Sequence, residues 1–193
     1  MGREATVHRR TRETDISVRI DLDGTGRAEI STPLPFLSHM VDQLARHGGF
    51  DLTVQAAGDV EIDGHHTTED LAMVLGQCLR EALGDKRGIR RYGEATLPMD
   101  EALCQVALDL SGRTYYVDRL ALPKATLGTF DVELASVFFE GFARGAACNL
   151  HVRRIEGDNL HHIIECSFKA LARALRDAVR VEGTALPSTK GTL

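Results

Sequence analysis

The chain has 193 residues, enough for one substantial core or two tightly packed halves. Hydrophobic residues make up 43% and charged residues 26%, an ordinary globular balance, and the net charge of −5 argues against a general nucleic-acid binder. No apolar run can span a bilayer and none follows Met1-Gly2-Arg3-Glu4, so we expect no membrane segment, no secretory leader and a cytoplasmic location.

In chain order, residues 6–12 and 15–23 read as two strands. Asp23-Gly24-Thr25-Gly26 then turns the chain into a third strand over 27–32. Pro33 and Pro35 bracket the start of a helix over 36–46, which Gly48-Gly49 stops. A strand over 51–57 and a helix over 67–83, ended by Gly84, complete this part. A basic connector (Lys86, Arg87, Arg90, Arg91) leads to strands over 94–98, 102–110 and 114–122. A helix over 131–145, a strand over 149–154 and a long helix over 160–181 follow. The order is βββαβα, twice. It predicts an α+β fold of duplicated βββαβα units, two small sheets packed on a layer of four helices, with both helices of a unit able to cover one face of its sheet. The first unit spans 1–90 and the second 91–181. The polar Gly/Pro tail over 182–193 is expected to fray.

The duplication also shows residue by residue. Val18-Arg19-Ile20-Asp21-Leu22 resembles Val106-Ala107-Leu108-Asp109-Leu110, and Leu44-Ala45-Arg46 matches Phe142-Ala143-Arg144. Leu52 and Val54 match Leu150 and Val152, while Leu75, Leu79, Arg80 and Ala82 match Leu171, Leu175, Arg176 and Ala178. One unit of this size repeated once is a fused duplication, not a solenoid. Under this alignment His39 falls opposite Val137.

Each unit carries one copy of a short pattern, His65-His66-Thr67-Thr68-Glu69 and His161-His162-Ile163-Ile164-Glu165. On a helix the first His and the Glu are four apart and share a face. Imidazole and carboxylate at that spacing suit a borderline divalent metal. The second His points about a quarter-turn away and can serve a different centre. Two copies suggest two metals with ligands traded between the copies. A lone helical His is more often a hydrogen-bonded surface or core residue, and His47 and His151, at non-equivalent positions in the repeat, fit that reading as well as a ligand role.

Asp70, Asp100, Glu101 and Asp158 lie near turns, where capping or solvation is the usual role, although Asp100 and Glu101 could line a site edge. Cys78, Cys104, Cys148 and Cys166 have no CxxC spacing and read as buried reduced thiols. Arg91, Arg113, Lys169, Ser188 and Lys190 are candidate phosphate ligands, each of which taken alone reads as a solvated surface group. The tail is not a Walker loop, because no GxxxxGK[ST] occurs.

Seven segments together resemble the imidazoleglycerol-phosphate dehydratase family over essentially the whole chain. They are Arg10-Thr11-x-Glu13-Thr14, Phe36-x-x-His39-Met40, His47-Gly48-x-Phe50-Asp51, the block from His65 to Asp70, Met99-Asp100-Glu101-Ala102, Asp158-Asn159-x-His161-His162-x-x-Glu165 and Leu186-Pro187-Ser188-x-Lys190-Gly191. The resemblance implies dehydration of D-erythro-imidazole-glycerol phosphate to imidazole-acetol phosphate in L-histidine biosynthesis. It implies two Mn²⁺ per active site bridged by the substrate imidazolate, and a homo-oligomer of twenty-four subunits with sites between neighbours. Its partners would be the phosphorylated substrate and further copies of the chain, with neither nucleic acid nor membrane.

By this resemblance and the pseudo-symmetry, one metal takes His39, His66, His161 and Glu165. The other takes His65, Glu69 and His162, plus a His where this chain has Val137, so the second site is expected to be weakened. Glu13 is the proton-handling candidate by analogy, Glu165 is a ligand first with an acid–base role second, and Gln43 is placed to orient a substrate hydroxyl. The competing expectation, motivated by Val137, is a catalytically weakened paralogue acting as an assembling metal- or ligand-binding protein.

Overall fold

A computed structural model describes residues 2–193. The first sheet contains β1 (Glu4–Arg10), β2 (Thr14–Asp21), β3 (Ala28–Ser31) and β4 (Asp51–Gly58), ordered β1-β2-β4-β3. Between its last two strands in sequence lies α1 (Pro35–Gly48), and α2 (His65–Leu83) follows. The second half repeats this with β5 (Tyr92–Met99), β6 (Ala102–Asp109), β7 (Tyr115–Arg119), β10 (Asn149–Glu156), α3 (Leu134–Ala146) and α4 (Leu160–Ala178), its sheet ordered β5-β6-β10-β7. Register is preserved as well as order. Val18 sits opposite Val54, and Val106 opposite Val152.

The inner faces follow from period-two alternation. Ile16, Val18 and Ile20 of β2 and Leu52 and Val54 of β4 are buried, as are Cys104, Val106, Leu108, Leu150 and Val152 in the second sheet. Between the sheets lies the layer of four helices. Here the expected cover is corrected. Each sheet is covered chiefly by the second helix of its own unit, α2 on β1 and β2, and α4 on β5 and β6. The first helices pair across the duplication, α1 against α4 and α3 against α2. Alternating strands announce an apolar face, but they do not say which helix seals it.

Several element bounds also differ. Both histidines of the first pair lie inside α2, which starts at His65 rather than Thr67. A short hairpin, β8 (Thr126–Leu127) and β9 (Phe130–Asp131), precedes α3, which starts three residues after the expected 131. Gly128 makes its turn possible at φ +63°, a conformation costly for any residue with a Cβ. This hairpin explains the changing offset of the duplication, from 88 between Val18 and Val106 to 98 between Leu44 and Phe142. The tail expected to fray makes defined contacts as far as Pro187. Val181 bridges to Ile89, the Gly88 N–H donates to the Ala185 carbonyl, and Arg91 donates to the Pro187 carbonyl at 2.8 Å. All four cysteines are buried and free, as expected.

Candidate metal centre

The pairing of α1 with α4 brings the two halves of the site together. α4 is started by Asn159, whose side-chain oxygen accepts from the His161 and His162 N–H groups at 3.0 and 3.3 Å. That cap fixes the first turn and the direction of both imidazoles. His39 arrives from the second turn of α1, which Pro35 pre-organises at its start.

His39 Nε2 lies 3.2 Å and His161 Nε2 3.0 Å from the same Glu165 oxygen, Oε2. Among the described residues these three form the single group of three or more His, Cys, Asp or Glu whose ligand atoms lie within 4.8 Å of one another. The other Glu165 oxygen receives Lys169 Nζ at 2.7 Å. Burial works against ionisation of Glu165, but the hydrogen bonds from Lys169, His39 and His161 outweigh it and hold the carboxyl below its ordinary range. Two imidazole nitrogens and an ionised carboxylate oxygen make a donor set for a borderline divalent cation.

Phe36 walls this group, its ring centroid 5.1 Å from that of His161 and 6.5 Å from that of His39. Phe130 of the hairpin stands behind it at 4.9 Å. On the far side, Gln43 places its Nε2 3.4 Å from His39 Nδ1, and its Oε1 3.2 Å from His47 Nε2. His47 is pushed below its usual value by burial and by the charges of Lys169 and Arg173, so it is a neutral end to this relay.

The other sequence candidates go elsewhere. His66 Nδ1 lies 3.0 Å from Asp59 and 3.9 Å from Glu13. His162 Nδ1 lies 2.7 Å from Glu101. Glu69 receives Arg144 at 2.7 Å, and His65 is exposed at the start of α2. The chain thus brings neither His66 to His39, His161 and Glu165 nor His162 to His65 and Glu69. Of the phosphate candidates, Arg113, Ser188 and Lys190 pair with no acidic side chain among the described residues. Arg91 differs. Its guanidinium forks onto both oxygens of Asp109 at 2.7 and 3.1 Å and holds the tail at Pro187. Asp70 is buried, accepts from the Thr14 hydroxyl at 2.6 Å and faces Arg9, which makes it a packing anchor.

Sequence reasoning missed Asp59, gave Phe36 no role beyond its place in the segment with His39, and assigned no cap to Asn159. For Asn159 the signal was present, an Asn directly before a helical run. For Asp59 none was, because only the folded loop carries it to His66.

Residues 32–175 match the family described as imidazoleglycerol-phosphate dehydratase. The chain belongs to that family. A relative from Geobacter sulfurreducens bearing the same description is 54% identical, with 100% of both chains covered. One from Dinoroseobacter shibae is 55% identical over 99% of this chain and 100% of its own. The Staphylococcus aureus imidazoleglycerol-phosphate dehydratase crystal structure superimposes with a TM-score of 0.83 at 38% identity, covering 92% of this chain and 99% of that one. The Pyrococcus furiosus enzyme, solved in complex with (S)-C348, gives 0.84 at 37% identity over 97% and 100%. The chain is therefore an enzyme of the imidazoleglycerol-phosphate dehydratase family, a hydro-lyase, and among the described residues no helix is long and apolar enough to cross a membrane. The group formed by His39, His161 and Glu165 is the candidate metal-binding group among the described residues.

Proposed function

We propose that the chain dehydrates D-erythro-imidazole-glycerol phosphate to imidazole-acetol phosphate in histidine biosynthesis. The convergence of His39 and His161 on Glu165, in a chain of this family, carries the reading. Bound divalent cations, Mn²⁺ and two per site by the resemblance, would supply Lewis acidity beside the substrate's imidazole ring.

The residues present fit such ions. His39, His161 and Glu165 would hold one, with Lys169 fixing the carboxylate's second oxygen. His65 and Glu69 would contribute to the other. His66 and His162 are not grouped with either set inside one chain, so a neighbouring copy completes each centre in a homo-oligomer, which we take to have twenty-four subunits. Loss of the hydroxyl also requires removal of a weakly acidic carbon-bound proton. We assign that proton to Glu13, whose carboxylate accepts no hydrogen bond among the described residues and is more than half exposed. Gln43 holds His39 in place and is assigned to orient the departing hydroxyl. Arg113, Lys169, Ser188 and Lys190 are assigned to the phosphate. Arg91 serves them indirectly by tethering the tail that carries Ser188 and Lys190. We place the enzyme in the cytoplasm.

The test is turnover of the purified protein, stripped with chelator and reloaded with Mn²⁺, with product identified by mass spectrometry. Metal-dependent product formation is expected. The weakened-paralogue reading has its own support, since Val137 stands where the repeat predicts His and Arg144 occupies Glu69. Full metal loading without turnover would select it.

A further inference from the structure

The outward histidines of the two pairs are held by carboxylates, and the carboxylates are not equivalent. In the second half, β5 and β6 are joined by the two-residue turn Asp100-Glu101, with Met99 opposite Ala102 and Asp100 at φ +49°. This tight turn delivers Glu101 to the start of α4. One oxygen accepts the Asn159 N–H at 2.9 Å, and the other lies 2.7 Å from His162 Nδ1.

Applying the offset between Val18 and Val106 to the preceding turn pairs Glu101 with Glu13. In the first half, however, that turn is longer. Thr11 Oγ1 accepts the Glu13 and Thr14 N–H groups at 3.1 and 3.0 Å and draws the loop back on itself. Glu13 consequently stops 3.9 Å from His66 Nδ1. The place that Glu101 takes on His162 is taken on His66 by Asp59, from the segment between β4 and α2, at 3.0 Å. Asp59 is largely buried.

We propose that Asp59 and Glu101 are positioning residues, each fixing one outward imidazole with its Nδ1 occupied so that Nε2 is the metal-binding nitrogen, and that Asp59 thereby releases Glu13 from the duty its counterpart performs. A carboxylate on the distal nitrogen sets the tautomer and ring direction of a ligating His and raises its basicity. With Nδ1 engaged in both residues, Nε2 is the nitrogen left to reach an ion completed by a neighbouring copy. The duplication would then have yielded two different glutamates, one locked into structure and one available for a proton. This inference rests on the metal reading above.

The experiment is a Mn²⁺ titration of the assembled protein, followed by the loss of the free-ion paramagnetic signal and by calorimetry, alongside melting of each metal-free variant. Glu101→Ala is expected to weaken Mn²⁺ binding about 10–100-fold, the usual effect of losing such a partner. Glu101→Gln, whose single carbonyl oxygen can still accept the Asn159 N–H but whose amide NH2 cannot accept from His162 Nδ1, guards against simple loss of the α4 start. It should melt near the wild type and yet bind Mn²⁺ more weakly. Asp59→Ala should cost less than Glu101→Ala, because Glu13 lies close enough to swing onto His66. The double variant Asp59→Ala with Glu13→Gln should then lose as much as Glu101→Ala. A purely structural role for Asp59 would not make its effect depend on Glu13. Unchanged affinity in the variants, or independence of the Asp59 and Glu13 effects, would overturn the proposal. A wild-type protein that binds no Mn²⁺ would instead reject the metal reading, and the proposal with it.

Discussion

The α1–α4 and α3–α2 helix pairs occupy equivalent places in the duplication and are built differently. In the α3–α2 pair, Gly76, Gly141 and Gly145 let the backbones touch. A Cβ on Gly145 would meet the Met73 carbonyl at 2.1 Å, and one on Gly76 would meet the Phe142 carbonyl at 2.4 Å. The equivalents of Gly141 and Gly145 in α1 are Gln43 and His47, which form the relay behind His39. One pair therefore spends its interface on packing and the other on polar side chains that prepare a site. The asymmetry continues to the helix ends. His39, Phe36 and the supporting Phe130 line one, whereas Val137 and Leu134 hold the corresponding positions in α3, and Arg144 neutralises Glu69. Duplication supplied two frameworks, and among the described residues one of them holds a grouped donor set.

The largest expected effect breaks the prepared pair. His161→Ala removes one of the two imidazoles on Glu165 and leaves Asn159 capping α4 through the backbone N–H groups. Turnover should fall by more than about 100-fold, since even the outer partners of metal ligands are worth about 10–100-fold. Near-normal kcat would remove this group from the centre.

A second effect falls on the packed pair. Gly145→Ala forces a methyl group into the Met73 carbonyl and the Gln77 amide, both backbone and unable to yield cheaply. Overpacking of this kind costs about 1–3 kcal/mol. Changing the α1 counterpart by His47→Ala introduces no such clash and should cost clearly less. Chemical denaturation of both variants checks the order, and equal stabilities would mean that the two helix interfaces are not built on different principles.

How much of this contrast could be read from the sequence depends on the range of the interaction responsible. The HHxxE copies were legible because both histidines and the glutamate lie within two turns of one helix. The paired histories of Val18 with Val106 and of Leu44-Ala45-Arg46 with Phe142-Ala143-Arg144 were legible as matches along the chain. Val137 was visible as the wrong residue at an aligned position. Other features were set by tertiary approach. Nothing local in Asp59 distinguishes it from a solvated loop acid, and Arg91 looks like one cation of a basic connector until Asp109 is placed against it. The hairpin Thr126–Asp131 has strands too short to show a period, although its Phe130 supports the site wall. Cross-pairing of α1 with α4 was equally invisible, because an apolar stripe records burial and not its partner.

The contrast can also be narrowed rather than broken. Gly141 meets the Glu69 carbonyl region, and Gly145 meets Met73, so α3 and α2 run side by side in the same direction. Leu134 lies against Gly64 at the start of α2, so Val137, one turn before Gly141, falls at the level of the first two turns of α2, which carry His65 and Glu69. Val137→His combined with Arg144→Ala should supply a nitrogen and release Glu69 from its ion pair. We expect Mn²⁺ binding at the weaker centre to tighten by about 10-fold, comparable to the smaller effects of altering a ligand's surroundings. Titration of both proteins in one buffer is the check. Identical isotherms would mean that position 137 is not what separates the two centres.

The smallest expected effect distinguishes the turns that serve the two halves. In the metal-free protein the Glu101 carboxyl is lowered to about 2, first by its hydrogen bond with His162 and then by the Asn159 N–H. His162 is raised in return, chiefly by Glu101. A depressed carboxyl contributes stability that is complete above its ordinary value of 4.5 and disappears as pH falls toward about 2. A raised imidazole contributes stability that is complete below its ordinary value of 6.5 and disappears as pH rises through its shifted value. The pair therefore stabilises the fold most between those two ordinary values. Glu101 is exposed and His162 partly so, which keeps the effect small and screened by salt. Glu101→Gln should flatten the acid limb of stability against pH, and Glu13→Gln, at the matching turn and with no hydrogen bond to its carboxylate among the described residues, is the control. Urea midpoints at about pH 5 and about pH 3, in low salt, measure the difference. If both variants keep the wild-type acid limb, the Glu101 contact with His162 is not maintained in solution, and the two turns are less different than their geometry makes them.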